Sequence, residues 1–266
     1  MRFLFLVYLC LTFSPGQQTS STPAAGGAAA SNQQKARAVV DQMIAALGGQ
    51  AYLNLQDAEF EGRSGRFNQG RSEGSTLFHR LWQWPDKDRM ELTKQRDVAR
   101  LALGDNIYEI TLRGSRLVDP KKDYDAQVYL ERRHHALEII LRQWLNEPGT
   151  ELFDEGRSIA ENHSVERITI INSKNDSVTL SIDADTHLPV KKTFVVRDLK
   201  GDRDEITEIY DNWKVIQGVT TPYNTLILRN GELQLQYFLV SVAYNNHPAS
   251  SLFEPSAPLK RESPPK

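Results

Sequence analysis

The sequence predicts a mainly β fold: a strongly curved antiparallel sheet of about 11–12 strands, covered by an N-terminal helix and a mid-chain helix. Three observations support this prediction. Many segments between residues 57 and 244 alternate apolar and polar residues, as half-buried strands do. Two other segments repeat apolar residues at helical spacing. A sheet of more than roughly ten strands curls or splits, which creates a concave face for the helices.

The composition is that of a globular protein. Of the 266 residues, 39% are hydrophobic and 25% are charged, which excludes a disordered or collagen-like chain for most of the length. The formal net charge is -2. Because the sequence has no excess of basic residues to neutralise phosphates, we expect no nucleic-acid partner.

The first 30 residues predict a secretory signal peptide and a low-complexity leader. Arg2 precedes an apolar run of 11 residues, Phe3–Phe13, which Ser14-Pro15-Gly16 ends. This run is too short to span a bilayer, which takes roughly 20 residues. Cleavage after Ala28–Ala30 and cleavage near Gly16 both fit the pattern. We therefore expect an exported protein, soluble after cleavage and without a transmembrane segment.

Helices and hairpins follow from local patterns. Residues 33–47 place apolar side chains at three- and four-residue steps, and Gly48-Gly49 ends this short amphipathic helix. Residues 124–146 show the same spacing up to Glu147-Pro148-Gly149, which predicts the longest helix of the chain. Asn230-Gly231 predicts a tight hairpin, because both residues tolerate a positive φ. The predicted strands are 57–66, 72–84, 87–94, 97–103, 105–112, 153–161, 165–172, 177–183, 189–197, 203–213, 222–230 and 232–244.

One domain is expected over residues 31–253, since no repeat or linker divides this part of the chain. The tail, residues 254–266, is rich in proline and is predicted to be disordered. Strands alone do not fill the hollow of a curved sheet, so we expect both helices to pack on its concave face. The space left between helix and sheet would be an apolar cleft of the kind that holds acyl chains.

No known catalytic motif occurs in the sequence, and we expect no enzyme activity, metal or cofactor. His134 and His135 are adjacent on a predicted helix and point about 100° apart, so we expect solvated side chains rather than a shared metal. Asp183-x-Asp185 predicts a solvated turn rather than a calcium loop. Glu208 and Asp211 are three residues apart on a predicted strand, which places them on opposite faces and argues against glycoside hydrolysis.

Three segments between residues 35 and 253 resemble the LolA-like superfamily. They are the helix end Leu47-Gly48-Gly49, the hairpin segment 181–192 with Asp183, Thr186 and Leu188-Pro189, and the hairpin segment 210–222 with Tyr210-Asp211, Gly218-Val219 and Pro222. Members of this superfamily are periplasmic carriers of outer-membrane lipoproteins and their relatives. The resemblance implies an unclosed barrel whose apolar cavity shields a lipid or the acyl chains of a lipoprotein.

The resemblance also implies site residues. An arginine on an early strand helps to close a helical lid by bonding backbone carbonyls, and the candidates here are Arg63, Arg66 and Arg80. Aromatic and aliphatic side chains would line the cavity, although by residue pattern alone ordinary core packing is the favoured explanation for them. The lining candidates are Phe78, Trp82, Trp84, Leu137, Leu141, Trp144, Phe194 and Tyr210.

Three functions remain open at this point. The first is a lipid- or lipoprotein-binding carrier, which requires an apolar gap between the mid-chain helix and the strands. The second is an envelope protein-interaction or signalling module on the same fold, with a filled interior and an exposed apolar patch for a protein partner. The third is a hydrolase without a recognised motif, which requires a cluster of catalytic side chains in a pocket.

Overall fold

The structure is a computed structural model that describes residues 25–197, 199–257 and 259, with side chains from residue 29 onward. The predicted signal peptide lies largely outside these residues. The end of the predicted leader differs from expectation, because a helix already begins at Ala25. No helix within the described ranges is long and apolar enough to cross a membrane.

A single antiparallel sheet of 13 strands forms most of the structure, which confirms the predicted fold class. The helices are α1 (Ala25–Leu47), α2 (Gln50–Leu53), α3 (Tyr124–His134) and α4 (Leu137–Arg142), with 3-10 turns at Trp144–Asn146 and Ser250–Phe253. The strands are β1 (Asp57–Asn68), β2 (Arg71–Gln83), β3 (Lys87–Leu92), β4 (Val98–Leu103), β5 (Asn106–Thr111), β6 (Gly114–Val118), β7 (Glu151–Ala160), β8 (His163–Ile171), β9 (Ser177–Asp183), β10 (Pro189–Arg197), β11 (Arg203–Ile216), β12 (Val219–Arg229) and β13 (Glu232–Tyr244).

The sheet is two meanders joined at one seam. Its order is β6-β5-β4-β3-β2-β1-β13-β12-β11-β10-β9-β8-β7, so β1 pairs with β13 in the middle and the barrel stays unclosed between β6 and β7. Strand β6 is not among the predicted strands. Four of its five residues are exposed, so this edge strand lacks the apolar alternation from which the others were predicted.

The N-terminal helix covers the β7–β12 half of the concave face. Its buried stripe is Ala36, Val40, Met43 and Leu47, which recur at three- and four-residue steps. The helix ends where the sequence predicts, at a close approach to the β11–β12 turn. A Cβ atom on Gly48 would lie 2.4 Å from the carbonyl oxygen of Gly218, and Gly48 also has a φ of 125°. Glycine is therefore required at this position.

The mid-chain helix differs from the prediction. Instead of one long helix over 124–146, the chain forms α3 and α4 with a break at His135 and Ala136, and α1 is longer, with 23 residues against 11 in α3. The apolar repeat does not reveal the break, because Leu130 and Leu137 keep a helical spacing in the sequence and both are buried. Tertiary contacts stabilise the break, since the Lys192 ammonium donates to the freed carbonyl of His135 at 2.5 Å.

The chain after β13 covers the outer face of β2–β5. Phe253 is buried there with Leu252 and Leu259 packed around it, against apolar side chains from β2, β4 and β5. Arg89 of β3 is fully buried under this segment and donates to the carbonyl of Leu252 at 3.1 Å. The packed part of the chain thus continues beyond Phe253, into the segment for which we predicted disorder. Residues 260–266 lie outside the described part.

Candidate ligand-binding cavities

A cavity of about 240 Å³ lies between the mid-chain helices and the concave face of the sheet. Its apolar wall comes from β1, β2, β11, β12 and β13, and its roof comes from α3 and α4. The sheet supplies this wall because successive residues of a strand alternate between the two faces. Its apolar lining includes Leu47, Tyr52, Leu55, Phe60, Phe78, Trp82, Leu137, Tyr210, Trp213, Tyr237 and Leu239.

Four of the eight predicted lining residues lie at this cavity: Phe78, Trp82, Leu137 and Tyr210. The other four belong to the core beside it. Leu141, Trp144 and Phe194 are buried in the main core, and Trp84 packs against its margin. Helical spacing over residues 124–146 predicted that Trp144 would face the cavity. In the structure Trp144 lies in the 3-10 turn after α4, where this spacing no longer applies.

A second cavity, of about 300 Å³, lies under the other end of α3. It is bordered by β1, β2, β3, β12 and β13, and Arg66 lies at its edge. The two cavities share a wall formed by Met90, Tyr129, Arg132 and Tyr237. In this wall the Arg132 guanidinium lies 5.8 Å from the centre of the Tyr237 ring. These four residues thus separate the two cavities beneath α3.

A buried ion cluster forms the polar end of the first cavity. Glu208 of β11 accepts from Arg132 at 2.7 Å and from Lys192 at 3.0 Å, and the Tyr210 hydroxyl donates to it at 2.9 Å. Burial raises the pKa of Glu208, but the charges of Lys192 and Arg132 outweigh that effect and hold the pKa well below its ordinary value. Glu208 is therefore ionised. Its ion pairs with Arg132 and Lys192 join α3 to β10 and β11.

A second cluster is built on Asp88 of β3, which has no exposed surface. Arg80 binds it through two nitrogens, at 3.0 Å and 2.6 Å, and Arg133 of α3 lies 3.0 Å away. Burial raises the pKa of Asp88, and the two guanidinium groups more than offset this, so the pKa lies below its ordinary value. Asp88 joins the other side of α3 to the sheet.

None of the three candidate arginines makes the expected bond to a backbone carbonyl of a covering helix within the described residues. Arg63 and Arg66 are exposed, and neither bonds a helix carbonyl within the described part of the chain. Arg80 pairs with Asp88. The strand cation that does bond a carbonyl at the end of α3 is Lys192 of β10, which donates to His135. Periodicity did not single out Lys192, because a lysine in a strand ordinarily faces solvent.

His135 contradicts the expectation of a solvated histidine. It is 3% exposed, stacks on Phe194 at 4.3 Å and meets the edge of Trp144 at 5.2 Å. Burial lowers its pKa to about 4, so the ring is neutral at pH 7. His134 is exposed and contacts Asp105 at 2.9 Å. Within the described residues no group of three metal-ligating side chains occurs.

Asp183 closes the β9–β10 hairpin that carries part of the resemblance. Its carboxylate accepts from the backbone N–H groups of Asp185 and Thr186 at 3.0 Å and 2.7 Å. Burial raises its pKa, but these bonds and one from His163 bring it down to about 2. The turn is as predicted, although Asp183 itself is buried within it.

The protein resembles known proteins in its fold and not in its sequence. No protein-family model and no curated protein matches the sequence. Solved structures match most of it. A DUF1329 family protein from Desulfovibrio piger has a TM-score of 0.61 at 12% identity, over 85% of this chain and 99% of its own.

Two further structures agree. A putative outer membrane lipoprotein-sorting protein domain from Vibrio parahaemolyticus has a TM-score of 0.60 at 12% identity, over 84% of this chain and 97% of its own. A LolA superfamily protein from Nitrosomonas europaea has a TM-score of 0.56 at 12% identity, over 82% of this chain and 97% of its own. The protein therefore has the LolA-like fold that its sequence predicted.

Proposed function

We propose that this protein is an exported, periplasmic carrier that holds the acyl chain of a lipid or lipoprotein in the cavities beneath α3. The observation that carries the proposal is the gap of about 240 Å³ between the mid-chain helices and the apolar concave face. A module whose helices only fill the sheet would leave no such gap. The N-terminal sequence supports the proposed location, and no catalytic step is part of the proposal.

The size of the cavity sets the scale of binding. A cavity of about 150 Å³ holds benzene, so about 240 Å³ has room for roughly ten carbon atoms. Moving each CH₂ group from water into such a site is worth about 0.8 kcal/mol, so ten groups give about 8 kcal/mol before the costs of association. When the ligand leaves, the helices must close on the empty cavity, so the protein without ligand populates a closed state.

Native mass spectrometry of the protein purified from a bacterial periplasm tests the proposal. We expect a lipid bound in stoichiometric amount, which solvent extraction then identifies. Thr225→Trp places an indole in the first cavity, of about 240 Å³, and should abolish this adduct. Asn224→Trp is the matched control, because the neighbouring residue of a strand faces the other side of the sheet. An adduct that persists in Thr225→Trp, or wild-type protein that stays free of lipid after incubation with phospholipid vesicles, contradicts the proposal.

One observation favours the second candidate, a protein-interaction module. On the outer face, Arg63 of β1 pairs with Leu77 of β2 and Phe238 of β13, which are 37% and 46% exposed. Val240, 70% exposed, follows on β13. Apolar residues grouped around one cation are typical of a protein-binding surface. Phe238→Glu should abolish binding of an envelope protein if this surface serves the function, while leaving lipid binding unchanged.

A further inference from the structure

More positive than negative charge lies beside the wall shared by the two cavities. The first cavity is lined by four cations, Arg80, Arg132, Arg133 and Lys192, and by two carboxylates, Glu138 and Glu208. Glu208 pairs with Lys192 and Arg132, and Asp88, which lines neither cavity, pairs with Arg80 and Arg133. Four cations thus face three carboxylates, an excess of one positive charge. Since Asp88 is fully buried and Glu208 is 8% exposed in its side chain, water screens these charges poorly.

A free hydrogen-bond donor lies in the same wall. The hydroxyl oxygen of Tyr129 is buried and has no hydrogen-bond partner within the described residues. Burial raises the pKa of Tyr129, so its proton stays in place at neutral pH. A buried hydroxyl without a partner is costly, and a ligand atom that accepts its bond removes that cost.

The volumes limit the number of acyl chains. At roughly 25 Å³ per carbon atom, scaled from the benzene-sized cavity, the two cavities of about 240 and 300 Å³ hold about 10 and about 12 carbon atoms. Arg132 and the free hydroxyl of Tyr129 lie where the two cavities meet. A polar head bound there directs a single chain into one of them, which buries about 10 to 12 of its carbon atoms and leaves the rest of a longer chain outside.

We propose that the shared wall binds the anionic head of a single-chain amphiphile, a carboxylate or a phosphate, through the Tyr129 hydroxyl and the cations of α3. This inference rests on the proposed carrier function and narrows its ligand class. Arg132 and Arg133 are neighbours at the end of α3, and each belongs to a different cluster. Arg132 lines both cavities and Arg133 lines the first, so a head beside Tyr129 lies near both guanidinium groups, and charge-assisted hydrogen bonds are the strong ones.

Calorimetric titration with three probes of equal chain length tests the inference. The probes are hexadecanoate, hexadecanoyl lysophosphatidate and the uncharged hexadecanol. We expect the better anionic probe to bind at least tenfold more tightly than hexadecanol. Whichever anion binds more tightly identifies the natural head as a carboxylate or a phosphate. Equal affinity for hexadecanol and both anions overturns the inference and leaves the carrier function standing, whereas no binding of any probe overturns both.

Two substitutions remove the excess charge without exposing a buried carboxylate. Arg132→Gln leaves Glu208 with Lys192, and Arg133→Gln leaves Asp88 with Arg80, so both variants should fold. Each should weaken binding of the anionic probe about tenfold and leave hexadecanol binding unchanged. Arg63→Gln is the matched control, because it removes the same charge from the outer face and should change neither affinity.

Tyr129→Phe is an independent variant, because it removes only the hydroxyl oxygen. It should weaken binding of the anionic probe by at least threefold and spare hexadecanol, whatever happens to the stability of the arginine variants. Equal losses for charged and uncharged probes in all three variants would show that the wall contributes packing and no anion site.

Discussion

Replacing Glu208 with glutamine removes the carboxylate that Lys192 and Arg132 share beneath α3. The lysine is 1% exposed in its side chain, so it has no access to water once its partner is neutral. Breaking a buried pair by removing one partner costs about 3–5 kcal/mol, because an uncompensated charge remains. Here two cations remain, which places Glu208→Gln at the upper part of that range.

The same cluster predicts a smaller effect for Lys192→Met. Glu208 keeps its bond from Arg132 at 2.7 Å and its bond from Tyr210 at 2.9 Å, so no buried charge is left alone. The loss is then close to that of a charged hydrogen bond, about 1.5–3 kcal/mol, and the apolar methionine regains part of it. Removing the anion should therefore cost more than removing one of its two cations.

Urea denaturation followed by circular dichroism measures both free energies of unfolding. Glu232→Gln is the matched control, since Glu232 is exposed and its loss should change the free energy of unfolding by no more than about 0.5 kcal/mol. If Glu208→Gln unfolds within about 1 kcal/mol of the wild type, or is more stable than Lys192→Met, the assignment of this cluster as a buried ionised set is wrong.

Three further predictions follow from single contacts. Burial lowers the pKa of His135 from 6.5 to about 4, so the unfolded chain binds a proton on this ring more readily than the folded protein. As the pH falls from about 6.5 to about 4, the free energy of unfolding of the wild type should fall by up to about 3 kcal/mol relative to that of His135→Phe. Urea denaturation at both pH values measures this difference. Gly48→Ala should lower the free energy of unfolding by at least about 2 kcal/mol, since the added Cβ atom would lie 2.4 Å from a carbonyl oxygen. Gly49→Ala, which adds a Cβ atom in open space, should lower it by about 1 kcal/mol. Equal decreases in melting temperature for the two variants would contradict the close approach at Gly48. Asp183→Ala should cost about 1–3 kcal/mol by leaving the turn amides of Asp185 and Thr186 unpaired, and an unchanged melting temperature would contradict this.

Local patterns sufficed to predict most of the sheet. Alternation located twelve of the strands, and Asn230-Gly231 forms the expected tight turn with φ values of 51° and 80°. Alternation also separates the two faces of β2, because Phe78 and Trp82 line the first cavity while Leu77 is exposed on the outer side. These features depend on residues close together in the chain.

The polar half of the site could not be predicted in the same way. Lys192 and Glu208 look like surface residues of two strands, and only the pairing of β10 with β11 places them opposite each other. The partner from α3, Arg132, is 76 residues from Glu208 in the chain. The break at His135 was also hidden, because it depends on the contact with Lys192 rather than on glycine or proline.

Photocrosslinking tests the central claim most directly. Hexadecanoate carrying a diazirine near the middle of its chain is bound to the protein and irradiated, and labelled peptides are located by mass spectrometry. The carrier function predicts labels on residues of the first cavity, such as Leu137 and Leu239, and no labels in Thr225→Trp. Labels confined to Leu77, Phe238 and Val240 would place the acyl chain on the outer face and contradict the account.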